Sequence, residues 1–375
     1  MKVPFFDLKR QTERIRDELS QAMMEVVDSQ KFVLGPAVEK LEGQIAEKLS
    51  ASHAVGVASG SDALLLSLMA AGVGPGSEVI VPAFSFFSTA SAAVRLGARV
   101  VFADIDFQTF QINPDQIRRR ITPQTRAVVV VHLFGDCADM LRIQSIAADH
   151  GILIIEDVAQ AFGARHHGRN AGTMGFCGCF SFYPTKNLSA MGDAGMIVTN
   201  DGAAAERLRS LRAHGAEDRY HHTTLGINSR LDALQAAAVS VKLKYVEKWN
   251  QRRRQIAEHY LTELDGVIAL PQTHAANDAV YNQFVVRTSE RDGLREHLEG
   301  HGIGTEIYYP IPLHLQPGLR PLATNSPSTA VLGEIGDYPR AEEAARTCLA
   351  LPIFPELRDD EVDHVIAKVQ EFCAS

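Results

Sequence analysis

Between residues 53 and 199 the chain repeats one pattern: a short, almost wholly apolar run, then a stretch of helical periodicity, then another apolar run. The runs fall at 53–58, 79–82, 99–103, 127–131, 152–155, 180–183 and 196–199, and helical patterns such as 62–71 and 138–150 follow the first five. A strand that is apolar at consecutive positions has both faces covered, and strands separated by helices run parallel. The pattern therefore predicts an α/β unit with a mostly parallel sheet flanked by helices. Ligands on such sheets bind beyond the carboxyl ends of the strands. Gly60, Phe86 and Asp157 each stand just past a strand end, so the topology lets them converge.

The densest stretch is Cys179-Phe180-Ser181-Phe182-Tyr183-Pro184-Thr185-Lys186-Asn187, continuing to Gly192-Asp193-Ala194-Gly195. An aromatic strand is expected to stop at Pro184, which has no N–H for the ladder. Lys186 then sits on a turn between two buried strands rather than on a charged helix face. Desolvation there lowers a lysine's pKa, which is what a Schiff-base nucleophile requires. Taken alone, the pattern fits an exposed loop lysine better. Asp157, at the end of the most apolar strand, needs a partner if it is buried, or else it caps the following helix.

Ala58-Ser59-Gly60-Ser61-Asp62 ends one strand and opens a helix. Gly60 permits close backbone approach, and the N–H groups at Ser61 suit a phosphate, although Ser-Asp is also an ordinary N-cap. The segment lacks the glycine fingerprint of a nicotinamide-binding unit, which excludes that class of dehydrogenase.

Toward the ends the pattern changes. Residues 12–30 read as an amphipathic helix, with Ile15, Leu19, Met23 and Val26 in register. After residue 228 a long helical pattern runs through Leu234, Leu243 and Tyr260. Beyond it a smaller α+β unit is expected: a strand at 283–287, a helix at 292–300, a strand at 305–309, and helices at 342–349 and 359–372. The expected division is 1–245 for an N-terminal arm and large domain and 246–375 for the small one. The net charge of −8 argues against a nucleic-acid partner. Arg252-Arg253-Arg254, the strongest basic run, reads as a solvated helix face. Five cysteines fit neither a disulfide framework nor a zinc site, and Cys177-Gly178-Cys179 alternates so that one thiol is expected in the core. His132 and His166-His167 read as structural or surface residues, so no metal is expected. Neither a signal peptide nor a membrane-length apolar run is present, which predicts a cytoplasmic protein.

The motif S-F-Y-P-x-K-N-L followed by G-D-x-G resembles the cofactor-lysine segment of the DegT/DnrJ/EryC1/StrS sugar aminotransferases. The likeness runs from Phe5-Phe6-Asp7-Leu8 to Leu351-Pro352-Ile353-Phe354-Pro355. It implies a fold-type I transferase with a seven-stranded sheet, using pyridoxal 5'-phosphate (PLP, alternating with its pyridoxamine form PMP). On the resemblance, Lys186 is the catalytic, cofactor-bearing residue. Gly60, Ser61 and Ser181 lie with the phosphate segment, where Ser59 and Ser61 replace the family's Asn and Thr. Phe86 stacks on the ring, Asp157 pairs with its nitrogen, Gln160 lies on its oxygen side, and Asn228 reaches the phosphate of a partner subunit in a homodimer with shared sites. Arg230, His221, Tyr308 and His314 are the implied substrate contacts, with Tyr308 standing where a histidine is common. The implied reaction moves an amino group from an amino acid, L-glutamate, to a nucleotide-linked keto-sugar. Asn228-Ser229-Arg230-Leu231-Asp232 resembles the carbon-3 enzymes, and the small Ser229 is expected to leave room for the sugar. The expected substrates are a dTDP-3-oxo-6-deoxyhexose or a UDP-3-oxo-glucuronate derivative. The alternatives are carbon-4 amination, a PLP-dependent sugar dehydratase (which has histidine in place of Lys186), or a non-catalytic PLP-binding regulator.

Overall fold

A computed structural model of the chain describes residues 1–319 and 333–374. Seven strands form the central sheet: β1 His53–Val57, β2 Glu78–Pro82, β3 Arg99–Ala103, β4 Thr125–Val131, β5 Leu153–Asp157, β8 Cys177–Ser181 and β9 Gly195–Thr199. Between β5 and β8 lie two-residue strands β6 Arg165–His166 and β7 Arg169–Asn170, joined in a small sheet to β10 Asn277–Asp278. The central order is β1-β9-β8-β5-β4-β2-β3. Its pairs are parallel except those of β9, which runs antiparallel to both neighbours. That reversal follows from a short connection: the Lys186 turn returns the chain directly from β8 to β9, whereas parallel pairing needs a crossover.

Strand β4 shows why the runs are apolar at every position. Ala127, Val129 and Val131 enter one core, and Val128 and Val130 enter the core on the opposite face. The flanking helices are α3 Gly60–Ala70, α4 Ser88–Arg95, α5 Pro114–Arg120, α6 Met140–His150 and α7 Gly202–Leu211. Their starts are written locally. Ser59, Asn113, Asp139 and Asp201 each accept a backbone N–H of the first turn.

The N-terminal arm comprises α1 Leu8–Ser29 and α2 Pro36–Leu49, which pack on α8 Ala233–Leu243. Helix α1 buries Ile15, Leu19 and Val26, with a kink at Ile15. The helical pattern expected after residue 228 is two helices rather than one. Helix α8 ends at Leu243 and α9 Val246–Glu263 begins beyond Tyr245, whose ring stacks on Trp249 and whose hydroxyl donates to Glu18. Of the remaining elements, β11 Phe284–Arg287, α10 Arg291–Gly300, β12 Cys348–Leu351 and α12 Asp359–Cys373 share a core with α9 and Val3, whereas α11 Pro339–Thr347 packs Ala341, Ala344 and Ala345 into the core of the central sheet.

Several local expectations are corrected. Residues 305–309 form no strand beyond a bridge of Glu306 to Ala350. The end of the 342–349 pattern is β12, which pairs antiparallel with β11. Strand β8 stops at Ser181, three residues before Pro184, although Phe182 N–H still donates to Ala194. Cys177 and Cys179 are both buried, because residues two apart on a strand share a face. Arg253 is not solvated: it is 1% exposed, and its guanidinium donates to the carbonyls of Ile353, Tyr281 and Asn282. Among the described residues, no helix is long and apolar enough to cross a membrane.

Candidate active site

The carboxyl ends of β1, β5 and β8 lie close together, and the site is built where they meet. At the end of β5, Asp157 is 5% exposed. Its carboxylate accepts Thr89 Oγ1–H at 3.0 Å and Ala159 N–H at 3.2 Å. Burial raises its pKa, while those two donors and the Lys186 ammonium pull it back. Two bonds leave a carboxylate with acceptor capacity to spare.

Lys186 lies on the turn after β8, its N–H donating to Tyr183. The residue as a whole is half-buried, but its ammonium lies deep. Desolvation lowers its pKa from 10.5 to about 8, against the opposing pull of Asp157. The difference is on the order of 3 kcal/mol between the two protonation states. The turn itself is rigid. Asn187 donates to Asn250 Oδ1 on α9 (2.8 Å) and to Val280 O (3.0 Å), and accepts from Asn282 Nδ2 at 2.8 Å.

Gln160 is held from both sides. Its Oε1 accepts Phe134 N–H at 2.7 Å, and its Nε2 donates to the Tyr309 hydroxyl at 3.0 Å. The Tyr309 ring lies 6.2 Å from that of Phe86, which is 55% exposed and presents an open aromatic face. Burial raises the Tyr309 pKa, so its hydroxyl keeps its proton.

The N-terminus of α3 abuts the end of β8. A Cβ on Gly60 would fall 2.6 Å from Ser181 Cβ, so only glycine fits there. A Cβ on Gly195 would fall 2.4 Å from the carbonyl carbon of Ser59. Ser61 Oγ lies 2.6 Å from Ser88 Oγ at the start of α4, bringing two helix N-termini to one place. Orphan N–H groups and helix dipoles at such a junction favour an anion. Ser181 Oγ accepts Tyr183 N–H at 3.3 Å beside it.

Below Asp157 a buried network fixes the strand. Glu156, fully buried, accepts from the backbone N–H groups of Gly172, Met174 and Gly175 at 2.6–2.7 Å. It also meets His132 Nε2 at 2.9 Å. Because His132 Nδ1 accepts Ala138 N–H, the ring proton is on Nε2, facing Glu156.

The structure thus brings Lys186, Asp157, Gln160, Gly60, Ser61, Ser181 and Phe86 to one cleft, with Tyr308 beside Tyr309. It does not bring in the rest. Asn228 is exposed and accepts Arg230 Nε–H at 3.0 Å. His221 lies on an exposed loop, 3.5 Å from Glu217. His314 is corrected: it is fully buried, 3.3 Å from Glu342 and 4.6 Å from the Tyr338 ring, and offers no surface to a substrate. Ser229 is also corrected, since it is fully buried with its hydroxyl accepting Ala58 N–H at 3.1 Å. Its small size serves packing at the end of β1 rather than room for a ligand. Sequence reasoning missed Tyr309, Thr89 and Asn187. Tyr309 and Asn187 stood inside quoted motifs, whereas nothing local distinguishes Thr89.

A profile of the DegT/DnrJ/EryC1/StrS aminotransferase family matches residues 13–370. Among curated relatives, the Pleiotropic regulatory protein of Geobacillus stearothermophilus is 44% identical, over 99% of both chains. The dTDP-3-amino-3,4,6-trideoxy-alpha-D-glucose transaminase of Streptomyces venezuelae is 43% identical, over 99% of this chain and 96% of that one. The UDP-2-acetamido-2-deoxy-3-oxo-D-glucuronate aminotransferase of Pseudomonas aeruginosa is 39% identical, over 95% and 96%. Among solved structures, S. venezuelae DesV superposes with a TM-score of 0.94 at 43% identity, covering 100% of this chain and 99% of that one. NtdA from Bacillus subtilis, solved with bound cofactor PMP, gives 0.90 at 30% identity, covering 100% and 86%.

Proposed function

Because this chain belongs to the DegT/DnrJ/EryC1/StrS aminotransferase family, we propose that it is a PLP-dependent, cytoplasmic enzyme that aminates carbon 3 of a nucleotide-linked keto-sugar, with L-glutamate as donor. The observation that carries this reading is the buried pair of Lys186, lowered to about 8, and Asp157 with spare acceptor capacity.

The residues fit the cofactor on the chain's own geometry. Gly60 lets the α3 N-terminus abut Ser181 where a Cβ would collide with it, which places the Ser61 and Ser181 hydroxyls beside the orphan N–H groups of that helix. Phe86 offers a face for stacking. Asp157 supplies an acceptor for a ring N–H and Gln160 a fixed amide. When bound, PLP supplies an electron sink that stabilises charge developing on a substrate carbon.

The chain's residues do the rest. Lys186 Nζ, neutral for part of the time near pH 8, would be the group that holds the cofactor. With its amine free, Lys186 would take a proton from the donor carbon and return it, as general base and then acid. A cationic partner would offset the burial that raises the Asp157 pKa, and Gln160 and Tyr309 hold the wall in place. Asn228 and the 213–228 loop serve a neighbouring subunit's site in a homodimer, which accounts for their exposure here. Arg230, held by Asn228, and His221 would meet the nucleotide sugar there.

Lys186 itself argues against the dehydratase reading. Retention of the whole lysine–aspartate–glutamine wall argues against a regulator without turnover, though a relative carries a regulatory name. Between the two carbon-3 substrates, the 43% identical relative and an aromatic Tyr308, which offers no cation to a sugar carboxylate, favour a dTDP-3-oxo-6-deoxyhexose. The test offers 3-keto and 4-keto nucleotide sugars with glutamate and locates the new amine by NMR. Amination at carbon 3 is expected. Amination only at carbon 4 overturns the regiochemistry, and no amination of either overturns the function.

A further inference from the structure

The hairpin of β6 and β7 carries His166 and His167, and the segment leading into β10 carries His274. One nitrogen from each of these three rings lies within 4.8 Å of the others. The rings meet edge to face or tilted, with centroids 4.6, 5.4 and 6.1 Å apart. The cluster is tied together by backbone: His167 N–H donates to Ala276 O at 2.9 Å, and β6 pairs with β10.

The informative member is His166, which is 1% exposed. Its Nδ1 lies 2.6 Å from Asn277 Oδ1. The Asn277 amide is assigned by its other bonds, since Nδ2 donates to Asp136 Oδ1 and to Cys137 O, both at 2.8 Å. Oδ1 is therefore an acceptor, and His166 Nδ1 carries the proton. Nε2 is left with its lone pair, buried and without a partner. An unmet buried acceptor of this kind costs about 1–3 kcal/mol, and a native protein rarely keeps one without use. The arrangement of His166, with one ring nitrogen fixed by an outer hydrogen bond and the other bare, is that of a metal ligand.

We infer that His166, His167 and His274 form a binding site for a divalent cation of the zinc class, held by three imidazoles with a fourth position open to water. Three neutral nitrogens suit Zn²⁺ or Co²⁺ over Mg²⁺ or Ca²⁺, which take oxygen. Zinc holds imidazole at about 2.0–2.1 Å, so the exposed rings of His167 and His274 turn inward on binding. His274 Nδ1 accepts Ala276 N–H at 3.2 Å. Ligation through its Nε2 moves the ring proton to Nδ1 and gives up that one long, exposed bond. The bound ion clamps the hairpin to the 274–277 segment. That segment leads to Val280 and Asn282, which hold Asn187 beside Lys186.

A second cluster, His297, His301 and Glu371, provides an internal control, because its carboxylate is already paired with Lys368 at 2.6 Å. The experiment uses the full-length holoenzyme without a histidine tag, stripped with a chelator and titrated with Co²⁺. Binding is read from the visible ligand-field bands, and Zn²⁺ is then added to displace them. One Co²⁺ per chain is expected, with spectra of tetrahedral intensity. His274→Ala and His167→Ala, both on the surface, are each expected to weaken it by more than the roughly 10–100-fold that loss of an outer-shell partner costs. His301→Ala is expected to bind as the parent does. Bound ion is also expected to raise the thermal midpoint of the parent but not of His274→Ala. Absence of Co²⁺ binding, or binding that survives His274→Ala unchanged, overturns the site.

Discussion

The wall around Lys186 and the loop of residues 213–228 are two halves of one proposed site, and they are built in opposite ways. In the wall, each functional group is held by at least one fixed partner: Asp157 by Thr89 and Ala159, Gln160 by Phe134 and Tyr309, and the lysine turn by Asn187. In the loop, Tyr220 is 81% and Leu225 88% exposed, and the His221 ring lies 3.5 Å from an equally exposed Glu217. Chemistry that depends on desolvation and sub-ångström placement needs groups held by fixed partners. Recognition surfaces draw on the less stable, more exposed parts of a fold.

The sharpest way to break that contrast is Lys186→Ala. Loss of transamination by at least the roughly 10²–10⁴-fold that a general base supplies is expected, together with loss of the visible cofactor band after dialysis. Retained activity would sink the assignment. The same lysine gives a pH test: the neutral amine is the reactive form, so reconstitution of stripped enzyme with PLP should speed up as pH rises through about 8 and then level off. A midpoint near 10.5, the unshifted value, would show that burial does not tune it.

Asp157→Asn comes next. Asparagine keeps an oxygen to accept Ala159 N–H and turns its NH2 to the Thr89 hydroxyl, which can accept in its place, so the fold should persist while kcat falls roughly 10²–10³-fold, the range for a lost preorganised electrostatic contact. A smaller fall, measured in a coupled glutamate assay, would mean the charge is dispensable.

Subunit mixing probes the loop half. Lys186→Ala and Asn228→Ala chains, each weak alone, should recover activity when refolded together, because one site per heterodimer is then intact. No recovery at any ratio would place Asn228 in its own chain's site or in none.

Gly60→Ala probes the cradle with a smaller effect. Its Cβ would meet Ser181 at 2.6 Å, and overpacking of that kind costs about 1–3 kcal/mol. A matching fall in the thermal midpoint and weaker PLP retention are expected. Unchanged retention would remove Gly60 from the phosphate cradle.

The smallest effect is expected at His221→Ala. An exposed charged contact is worth about 0–1 kcal/mol, so KM for the nucleotide sugar should rise by no more than about fivefold, with kcat unchanged. A fall in kcat instead would erase the distinction between wall and loop.

The sequence determined what short-range physics controls. Consecutive apolar residues set the strands, N-caps set the helix starts, and the short Lys186 turn set the reversal at β9. It also put Asp157 at a strand end and Gly60 before a helix, which located most of the wall. Only the tertiary structure decided which side chains lose water and which distant ones meet. Arg253 read as surface because its neighbours are charged, yet the carbonyls of Ile353, Tyr281 and Asn282 close over it. His314 read as reachable in its motif, yet its ring lies under Tyr338. His166 and His274 share no local pattern, and only the pairing of β6 with β10 brings them together. Periodicity extends over a few turns of chain, whereas burial and convergence depend on strand order and on which cores close. Those are properties of the packed sheet, not of any stretch of it.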